Sequence, residues 1–157
     1  MNPGAGTRQD AMGPHAGIVK AQPDDLTAVL ALLAEASLPR EGVAEHFAHF
    51  LVARAGSEVV GSVGMEPYGS SALLRSLVVA EEYRKRGLGR ALAERLLREA
   101  GARGVKRVFL LTETASDFFA ALGFRRIGRD QADPAVQGSV EFGPVCCQSA
   151  VCMRLDL

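Results

Sequence analysis

The spacing of apolar residues predicts three helices, and a turn or two of helix over 41–49 and one turn over 134–137 are also expected. A stripe of leucine and valine recurs at i, i+3, i+4 and i+7 over about 23–36, which is typical of a helix with one buried face. Over 87–103, leucines recur every fourth residue and arginines fill the other side, which predicts an amphipathic helix. A short helix over 115–122 is expected to end at Gly123, a residue suited to the left-handed turn after a helix.

Strand-like segments occupy most of the remaining chain. The predicted strands are a hairpin over about 47–66 with its turn at Gly56, then 72–79, 105–111, 124–127 and 149–155. The Pro-Tyr-Gly-Ser sequence at 67–70 is expected to interrupt the strand pattern. Because a helix connects the 72–79 and 105–111 strands, that pair is expected to run parallel. The sequence therefore predicts a mixed, mostly antiparallel α/β sheet with one parallel pair, flanked by helices.

Length and composition indicate one globular domain. The 157 residues are 48% apolar and 23% charged, which suits a single hydrophobic core. The opening stretch is rich in glycine and has little to bury, so residues 1–16 are expected to be disordered and the domain to cover 17–157. Eighteen basic and eighteen acidic side chains balance, which argues against a nucleic acid or an anionic membrane as partner.

The cysteines and the lack of long apolar stretches point to the cytoplasm. Cys146, Cys147 and Cys152 form an odd set near the C-terminus, which cannot complete a disulfide framework. The sequence has no run of about 18 apolar residues, so no membrane helix is predicted. The N-terminal stretch lacks the apolar core of a signal peptide. His46 and His49 have no third ligand nearby in the sequence, so no metal site is expected.

A basic turn before the 87–103 helix is the strongest local signal for chemistry. The sequence RKRGLGR at 84–90 combines a basic triplet, residues 84–86, with the unpaired N–H groups and positive partial charge of a helix start. Gly87 and Gly89 let the main chain approach a phosphate without a Cβ in the way. The turn is therefore predicted to bind a phosphate group, and the alternative is an ordinary strand-to-helix turn with solvated charges.

Two other phosphate-binding motifs match this turn less well. A dinucleotide-binding fingerprint requires a third glycine where this chain has Leu92, although Glu113 stands near the expected acidic position. A Walker loop requires Gly-Lys-Ser or Gly-Lys-Thr at its end, and the turn has neither. A nucleotide-binding oxidoreductase is therefore a weakened alternative.

The turn and a second segment resemble the GNAT superfamily of acyl-CoA-dependent N-acetyltransferases. The superfamily signature is Arg/Gln-x-x-Gly-x-Gly/Ala at the start of a helix, and this chain has RKRGLG at 84–89. The sequence FFAALGF at 118–124 is similar to the superfamily's second motif, and the likeness extends over about 17–157. The resemblance implies acetyl-CoA as the acyl donor and CoA as the product.

A narrower resemblance is to the acetyltransferases of bacterial arsenic-resistance gene clusters. It is carried by EPYG at 66–69, LLRS at 73–76, LTETASDFF at 111–119, SVEF at 139–142 and the CQSA that follows at 147–150. This resemblance implies a link to arsenic resistance. Three cysteines could surround trivalent arsenic, but adjacent residues of an extended chain point to opposite sides, and free cysteine is commonly a small buried hydrophobe.

The superfamily resemblance assigns residues to the cofactor. In the superfamily the sheet opens between the strands here numbered 72–79 and 105–111, and the cofactor lies in the gap. The residues implied are Leu77, Val78, Val79, Arg84, Lys85, Arg86, Gly87, Leu88, Gly89, Arg90 and Phe119. The amides of the turn are expected to hold the pyrophosphate and the 77–79 backbone to hold the pantetheine arm, with the Val79 N–H polarising the thioester.

The acceptor amine is expected to attack the thioester directly, which requires a group that takes its proton. Glu66, at the end of the strand beside 72–79, is the first candidate for this base and Glu113 the second; the alternative for Glu66 is a solvated carboxylate. Arg75 and Ser76 alternate across one strand, so one of them is expected to face the acceptor. Arg75 suits an acceptor with an oxyanion, unless it pairs with a neighbouring glutamate.

One position departs from the superfamily pattern. Many members have a tyrosine that reprotonates the CoA thiolate where this chain has Phe119, which leaves Tyr68, Ser116 or water as the donor, or no donor at all. The expected function is N-acetylation of a small-molecule amine. The alternative is a non-catalytic acyl-CoA-binding sensor or interaction module of the same fold, and a homodimer is left open.

Overall fold

The computed structural model describes residues 17–143 and 149–157. Its helices are α1 (Leu26–Glu35), α2 (Val43–His46), α3 (Leu88–Ala102), α4 (Ser116–Ala121) and α5 (Pro134–Gln137). Its strands are β1 (Ile18–Lys20), β2 (Phe50–Ala55), β3 (Glu58–Tyr68), β4 (Ser71–Val79), β5 (Arg107–Thr112), β6 (Arg125–Ile127) and β7 (Val151–Asp156). Short 3-10 turns lie at Pro23–Asp25, Phe47–His49, Glu81–Tyr83, Arg129–Gln131 and Val140–Phe142. The expectations for residues 1–16, Cys146 and Cys147 lie outside the described residues.

The described strands form one sheet in the order β1-β2-β3-β4-β5-β7-β6. β4 and β5 run parallel, with residue pairs from Ser71–Arg107 to Leu73–Phe109. The pairs of β1 with β2, β2 with β3, β5 with β7 and β6 with β7 are antiparallel. The predicted mixed sheet with one parallel pair, connected by α3, is therefore confirmed.

Contacts within the chain group the described residues into two compact units. The first contains residues 17–64 and 76–97, and the second contains 65–75 with the described residues from 98 onward. β3 and β4 each contribute residues to both units, because Gly64 and Arg75 are the last residues before the change of unit.

In the first unit, α1 buries one stripe of side chains against β2. Val29 and Leu33 are fully buried in a cluster with Phe47, Phe50 and Val52, and the other stripe residues, Leu26 and Leu30, pack against it partly buried. This confirms the predicted helix and its buried face.

Asp25 ties the start of α1 to β2. Its carboxylate accepts hydrogen bonds from the Arg54 guanidinium at 2.8 and 2.7 Å and from the Gln22 main-chain N–H at 2.8 Å. The hydrogen bond from Arg54 is the main cause that holds the pKa of Asp25 below its usual value, against the effect of burial. The entry of the chain into α1 is therefore held by an ionised side chain.

The second unit has its own hydrophobic cluster beneath the segment that follows β6. Leu73, Phe109, Ala132, Val136 and Cys152 are buried together. The Cys152 thiol is free, and burial raises its pKa. At the rim, the carboxylate at the start of α5 accepts hydrogen bonds from side chains of β4 and β5, namely Asp133 from Ser71 and from Arg107.

Two parts of the predicted hairpin were wrong. Residues 47–49 form a 3-10 turn in which the Phe47 ring packs against the Phe50 ring at 5.2 Å, so β2 begins only at Phe50. The expected helical turns over 41–49 are confirmed there, and the strand start at 47 is not. Pro67 does not end β3, which continues to Tyr68 before a turn at Gly69. The pairs of β3 with β2 end at Gly64, so a missing N–H at 67 breaks no pair with β2.

The other predicted elements are confirmed, with small shifts at their ends. α3 and α4 start and end within about a residue of the prediction, and Gly123 after α4 has a φ of +105°. β5 and β7 each begin two residues later than predicted, at Arg107 and Val151. None of the helices in the described part of the chain is long and apolar enough to cross a membrane.

Candidate functional site

The basic turn between β4 and α3 has an unusual main-chain conformation. Lys85 and Gly87 have φ values of +65° and +82°. The left-handed region is accessible to glycine without strain, whereas it costs a residue with a Cβ about 1–2 kcal/mol. Turns with such alternating conformations point successive N–H groups toward one concave side, which is a geometry that binds anions.

The N–H groups of this turn are not used by the rest of the described chain. From Lys85 to Arg90, no main-chain N–H has a hydrogen-bond acceptor among the described residues, and Ala91 is the first to donate, to the Gly87 carbonyl at 3.0 Å. Leu88 is 2% exposed, so its side chain anchors the turn, whereas Lys85 and Gly87 are exposed. The start of α3, a helix of 15 residues, therefore has six main-chain N–H groups without an acceptor in the described part of the chain.

The arginines of the turn brace it. Arg84 Nε donates to the Val79 carbonyl at 2.8 Å, and Arg86 Nη2 donates to the Glu82 carbonyl at 2.8 Å. Arg90 pairs with Glu94 one helical turn further on. These contacts hold the turn in place while adding positive charge around its N–H groups.

The last residues of β4 have main-chain groups that face no strand. The Ala80 N–H donates to the Val60 carbonyl at 2.8 Å on the β3 side. Because successive residues of a strand point their main-chain groups to alternate sides, Val79 and Leu77 point theirs away from β3. On that side the pairs of β4 with β5 end at Leu73, so the N–H groups of both residues lack a strand partner among the described residues.

A buried ion cluster forms in the second unit. Arg75 Nη1 lies 2.6 Å from Glu66 Oε2, and Arg75 Nη2 lies 3.3 Å from Glu141 Oε2. Glu66, Arg75 and Glu141 are 1%, 2% and 5% exposed. Glu66 and Arg75 therefore contact each other, and the Arg75 guanidinium pairs with two carboxylates. This corresponds to the alternative in which Arg75 pairs with a neighbouring glutamate.

Tyr68 and Ser139 complete the surroundings of Glu66. The Tyr68 hydroxyl donates to Glu66 Oε1 at 2.5 Å. Burial raises the pKa of Glu66, but hydrogen bonds from Tyr68, Arg75 and Ser139 and the charge of Arg75 outweigh it, so this pKa lies below its usual value. Burial, followed by the hydrogen bond to Glu66, raises the pKa of Tyr68 to about 12. Glu66 is thus ionised and Tyr68 protonated at neutral pH.

Ser76 departs from the regular alternation expected of its strand. Its φ is +62°, and its side chain, like that of Arg75, is buried. The Ser62 hydroxyl donates to the Ser76 carbonyl at 2.8 Å. Residues 71–76 are all buried, whereas 77–79 alternate between half-buried and buried. The left-handed residue therefore marks the point at which β4 changes from burial on both faces to burial on one.

Phe119 is a packed aromatic residue of α4. It is 6% exposed and makes edge contacts with Phe118 and Phe124, with ring centroids 5.1 and 5.6 Å apart. The other candidate base, Glu113, accepts a hydrogen bond from the Ser149 hydroxyl at 2.9 Å and is exposed.

Sequence reasoning missed Glu141 and Ser139 as parts of the Arg75 cluster. They lie more than 60 residues after Arg75, in a short 3-10 turn without hydrophobic periodicity. The Ser139 hydroxyl accepts from the Glu141 N–H at 3.1 Å. The only available signal was the Ser-x-Glu spacing, which is typical of such a turn start and carries no indication of a distant partner.

Comparisons with known proteins match part of the chain to one family. The family model described as the acetyltransferase (GNAT) domain matches residues 46–126, about half of the chain. An uncharacterised N-acetyltransferase of Chlorobaculum tepidum is 36% identical over 91 residues, which are 57% of this chain and 58% of that protein, so the chain spans less than two thirds of its relative.

Solved structures share the fold. A Mycobacterium tuberculosis protein in complex with CoA matches with a TM-score of 0.75 and 23% identity, over 90% of this chain and 99% of that chain. N-acetylglutamate synthase from Neisseria gonorrhoeae, complexed with CoA and N-acetyl-glutamate, matches with a TM-score of 0.78 and 19% identity, over 90% of this chain and 35% of that chain.

Proposed function

Because this chain belongs to the GNAT acetyltransferase family, we propose that it is an acetyl-CoA-dependent N-acetyltransferase that acts on the amine of a small molecule. The observation that carries the proposal is the run of six free main-chain N–H groups from Lys85 to Arg90 at the start of α3. A diphosphate needs several donors directed at one place, and a helix start flanked by cations supplies them.

The cofactor-binding residues in this proposal are the end of β4 and the turn that follows it. The N–H groups from Lys85 to Arg90 bind the pyrophosphate. Leu77 and Val79 offer main-chain groups that face no strand, so they hydrogen-bond the pantetheine arm as a neighbouring strand would. The Val79 N–H polarises the thioester carbonyl, and acetyl-CoA supplies the acyl group that the amine takes up.

We propose that Glu66 accepts the proton that the amine nitrogen loses during the reaction. Its lowered pKa keeps the carboxylate ionised but makes it a weak base, so it cannot deprotonate a free ammonium group to a useful extent. After a neutral amine has attacked the thioester, the nitrogen is far more acidic, and a weak, ionised carboxylate is then sufficient. Glu66 therefore accepts the proton during collapse of the tetrahedral intermediate. Tyr68, with a pKa of about 12, is a weaker acid than a thiol, so the CoA thiolate leaves as such and takes up a proton from water.

The acceptor that we propose is an amino-acid-like amine with an oxyanion, bound by Arg75 and Ser76. The structural neighbour with N-acetyl-glutamate supports this class, because its ligand is an acylated amino acid. Amino-acid-like arsenicals fall within the same class. The link to arsenic resistance rests on the sequence resemblance alone and stays a prediction.

A second candidate function is favoured by one residue. Phe119 has no proton to donate, which is consistent with an acyl-CoA-binding sensor that has lost turnover. The sensor and the enzyme share the cofactor turn and differ in amine-dependent release of CoA. Measuring free thiol with acetyl-CoA and a panel of amines separates them, because the sensor gives binding without release.

The cofactor turn itself is tested by calorimetry with CoA and acetyl-CoA. We expect Gly89→Asp to abolish binding, because it places a side chain and a negative charge among the N–H groups. The matched control is Gly101→Asp, which adds the same group near the other end of α3, where a Cβ meets only Leu157 at 3.9 Å. Absence of heat from well-folded native protein, or equal binding by Gly89→Asp, overturns the proposal.

A further inference from the structure

The guanidinium of Arg75 is shared unequally between two carboxylates. Nη1 lies 2.6 Å from Glu66, whereas Nη2 lies 3.3 Å from Glu141, and the Arg75 side chain has no exposed surface. A charge-assisted hydrogen bond is normally about 2.7–2.9 Å long, so the contact with Glu141 is the looser of the two. Both arms are nevertheless covered, and an acceptor that binds Arg75 has to displace one of these carboxylates.

The two carboxylates lie in different kinds of element. Glu66 lies within β3 and also accepts hydrogen bonds from Tyr68 and Ser139. Glu141 lies in the three-residue turn Val140–Phe142, in which the neighbouring Val140 is 37% exposed. Moving Glu141 therefore requires a shift of this short turn, in which Phe142 packs partly buried against the hydrophobic cluster, whereas moving Glu66 requires a change in the sheet.

We propose that Glu141 determines acceptor specificity by occupying the place on Arg75 Nη2 that the oxyanion of the acceptor takes. This inference rests on the proposed function and refines it. An acceptor with a carboxylate replaces Glu141 with an equivalent charge-assisted hydrogen bond, and the Glu141 side chain turns away from Nη2 toward the exposed side of its turn, where Val140 lies. An amine without an oxyanion has nothing to exchange for this contact, so Glu141 stays in place and excludes it.

Removal of the competing charge tests this exchange. Glu141→Gln keeps the length of the side chain but replaces its carboxylate with a weaker, neutral acceptor. The probes are L-glutamate, L-glutamine and glutaminamide, which carry two, one and no carboxylates, titrated by calorimetry in saturating CoA. We expect Glu141→Gln to bind at least one carboxylate probe about fivefold or more tightly than the native chain does, with no change for glutaminamide.

The control is Asp133→Asn, which weakens another carboxylate–guanidinium pair of the same unit, with Arg107 at 3.0 Å. This variant should bind all three probes as the native chain does. If Glu141→Gln does not fold, Glu141→Asp, which withdraws the carboxylate from Nη2, should shift binding in the same direction by a smaller factor. Unchanged or weaker carboxylate binding, no detectable carboxylate binding, or an equal shift for all three probes overturns the inference.

Failure of this inference is distinguishable from failure of the proposed function. CoA binding and amine-dependent thiol release by the native chain report on the proposed function and do not depend on Glu141. The probe titrations report on Arg75 and need no turnover. A chain that binds CoA and acetylates an amine, but whose Glu141→Gln variant leaves the affinity for carboxylate probes unchanged, retains the function and loses the specificity role of Glu141.

Discussion

Replacement of Arg75 by methionine tests the buried ion cluster through stability. Methionine approximates the aliphatic part of the side chain, but it removes the guanidinium that Glu66 and Glu141 contact at 2.6 and 3.3 Å. Their side chains are 1% and 7% exposed, so water cannot replace the lost partner without rearrangement. Removal of one partner of a buried ion pair costs about 3–5 kcal/mol, and we expect the free energy of unfolding to fall by about that amount at neutral pH.

The assay is urea unfolding followed by circular dichroism, at several pH values. The control is Arg107→Met, because its pair with Asp133 is about one-third exposed on both sides and should contribute only about 0–1 kcal/mol. In the native chain the lowered pKa of Glu66 stabilises the fold above the ordinary carboxyl pKa, and this stability is lost as the pH falls through the lowered value.

The variant should show the opposite dependence. Without Arg75, burial becomes the dominant influence and raises the pKa of Glu66, so acidification protonates the carboxylate and reduces the stability deficit. The deficit relative to the native chain should therefore shrink as the pH falls toward the ordinary carboxyl range. A deficit no larger than that of Arg107→Met, or one independent of pH, would refute the argument that Arg75 neutralises two buried carboxylates.

Two further variants test single residues. Glu66→Gln should lower kcat by about 10²–10⁴-fold with little change in CoA affinity, as expected for loss of a proton acceptor, and full activity at neutral pH would contradict that role. Asp25→Asn should lower the free energy of unfolding by about 1–2 kcal/mol at neutral pH, through weaker hydrogen bonds from Arg54 and Gln22. Because the pKa of Asp25 is lowered in the fold, this difference should disappear as the pH falls below the usual carboxyl range, and a constant difference in pH-dependent thermal unfolding would contradict it.

The elements that sequence predicted well are those with strong local periodicity. The leucine spacing of α3 and the stripe of α1 determine which face is buried, whatever lies opposite. The turn at 84–90 and the helix start after it were predictable for the same reason, since the glycines, cations and helix start are contiguous in the sequence. The ends of the hairpin were predicted less well, because Phe47 belongs to a turn only through its contact with Phe50.

The chemistry of Glu66 and Arg75 was not predictable to the same extent. Both residues were identified as candidates, but their environment depends on Glu141, which is close to them only in the folded chain. Solvated and buried carboxylates have the same sequence signature. Only the fold shows that Glu66 is 1% exposed and that its hydrogen bonds outweigh the effect of burial on its pKa.

The conformation of Ser76 is a feature that the sequence could not predict, and it lies beside the buried ion cluster. A left-handed serine in a strand costs about 1–3 kcal/mol, and such a residue persists only where its surroundings determine it, here including the hydrogen bond from Ser62 to its carbonyl. Serine has no marked preference for this region, so no sequence pattern could predict it. Directly before it, Arg75 is buried with two carboxylates, and directly after it the main-chain groups of Leu77 and Val79 face no strand. The strain at Ser76 therefore lies where β4 changes from a packed core strand into one whose main-chain groups face no strand. Ser76→Gly relieves this strain, and if the variant keeps full activity, the strained conformation itself is not needed for function.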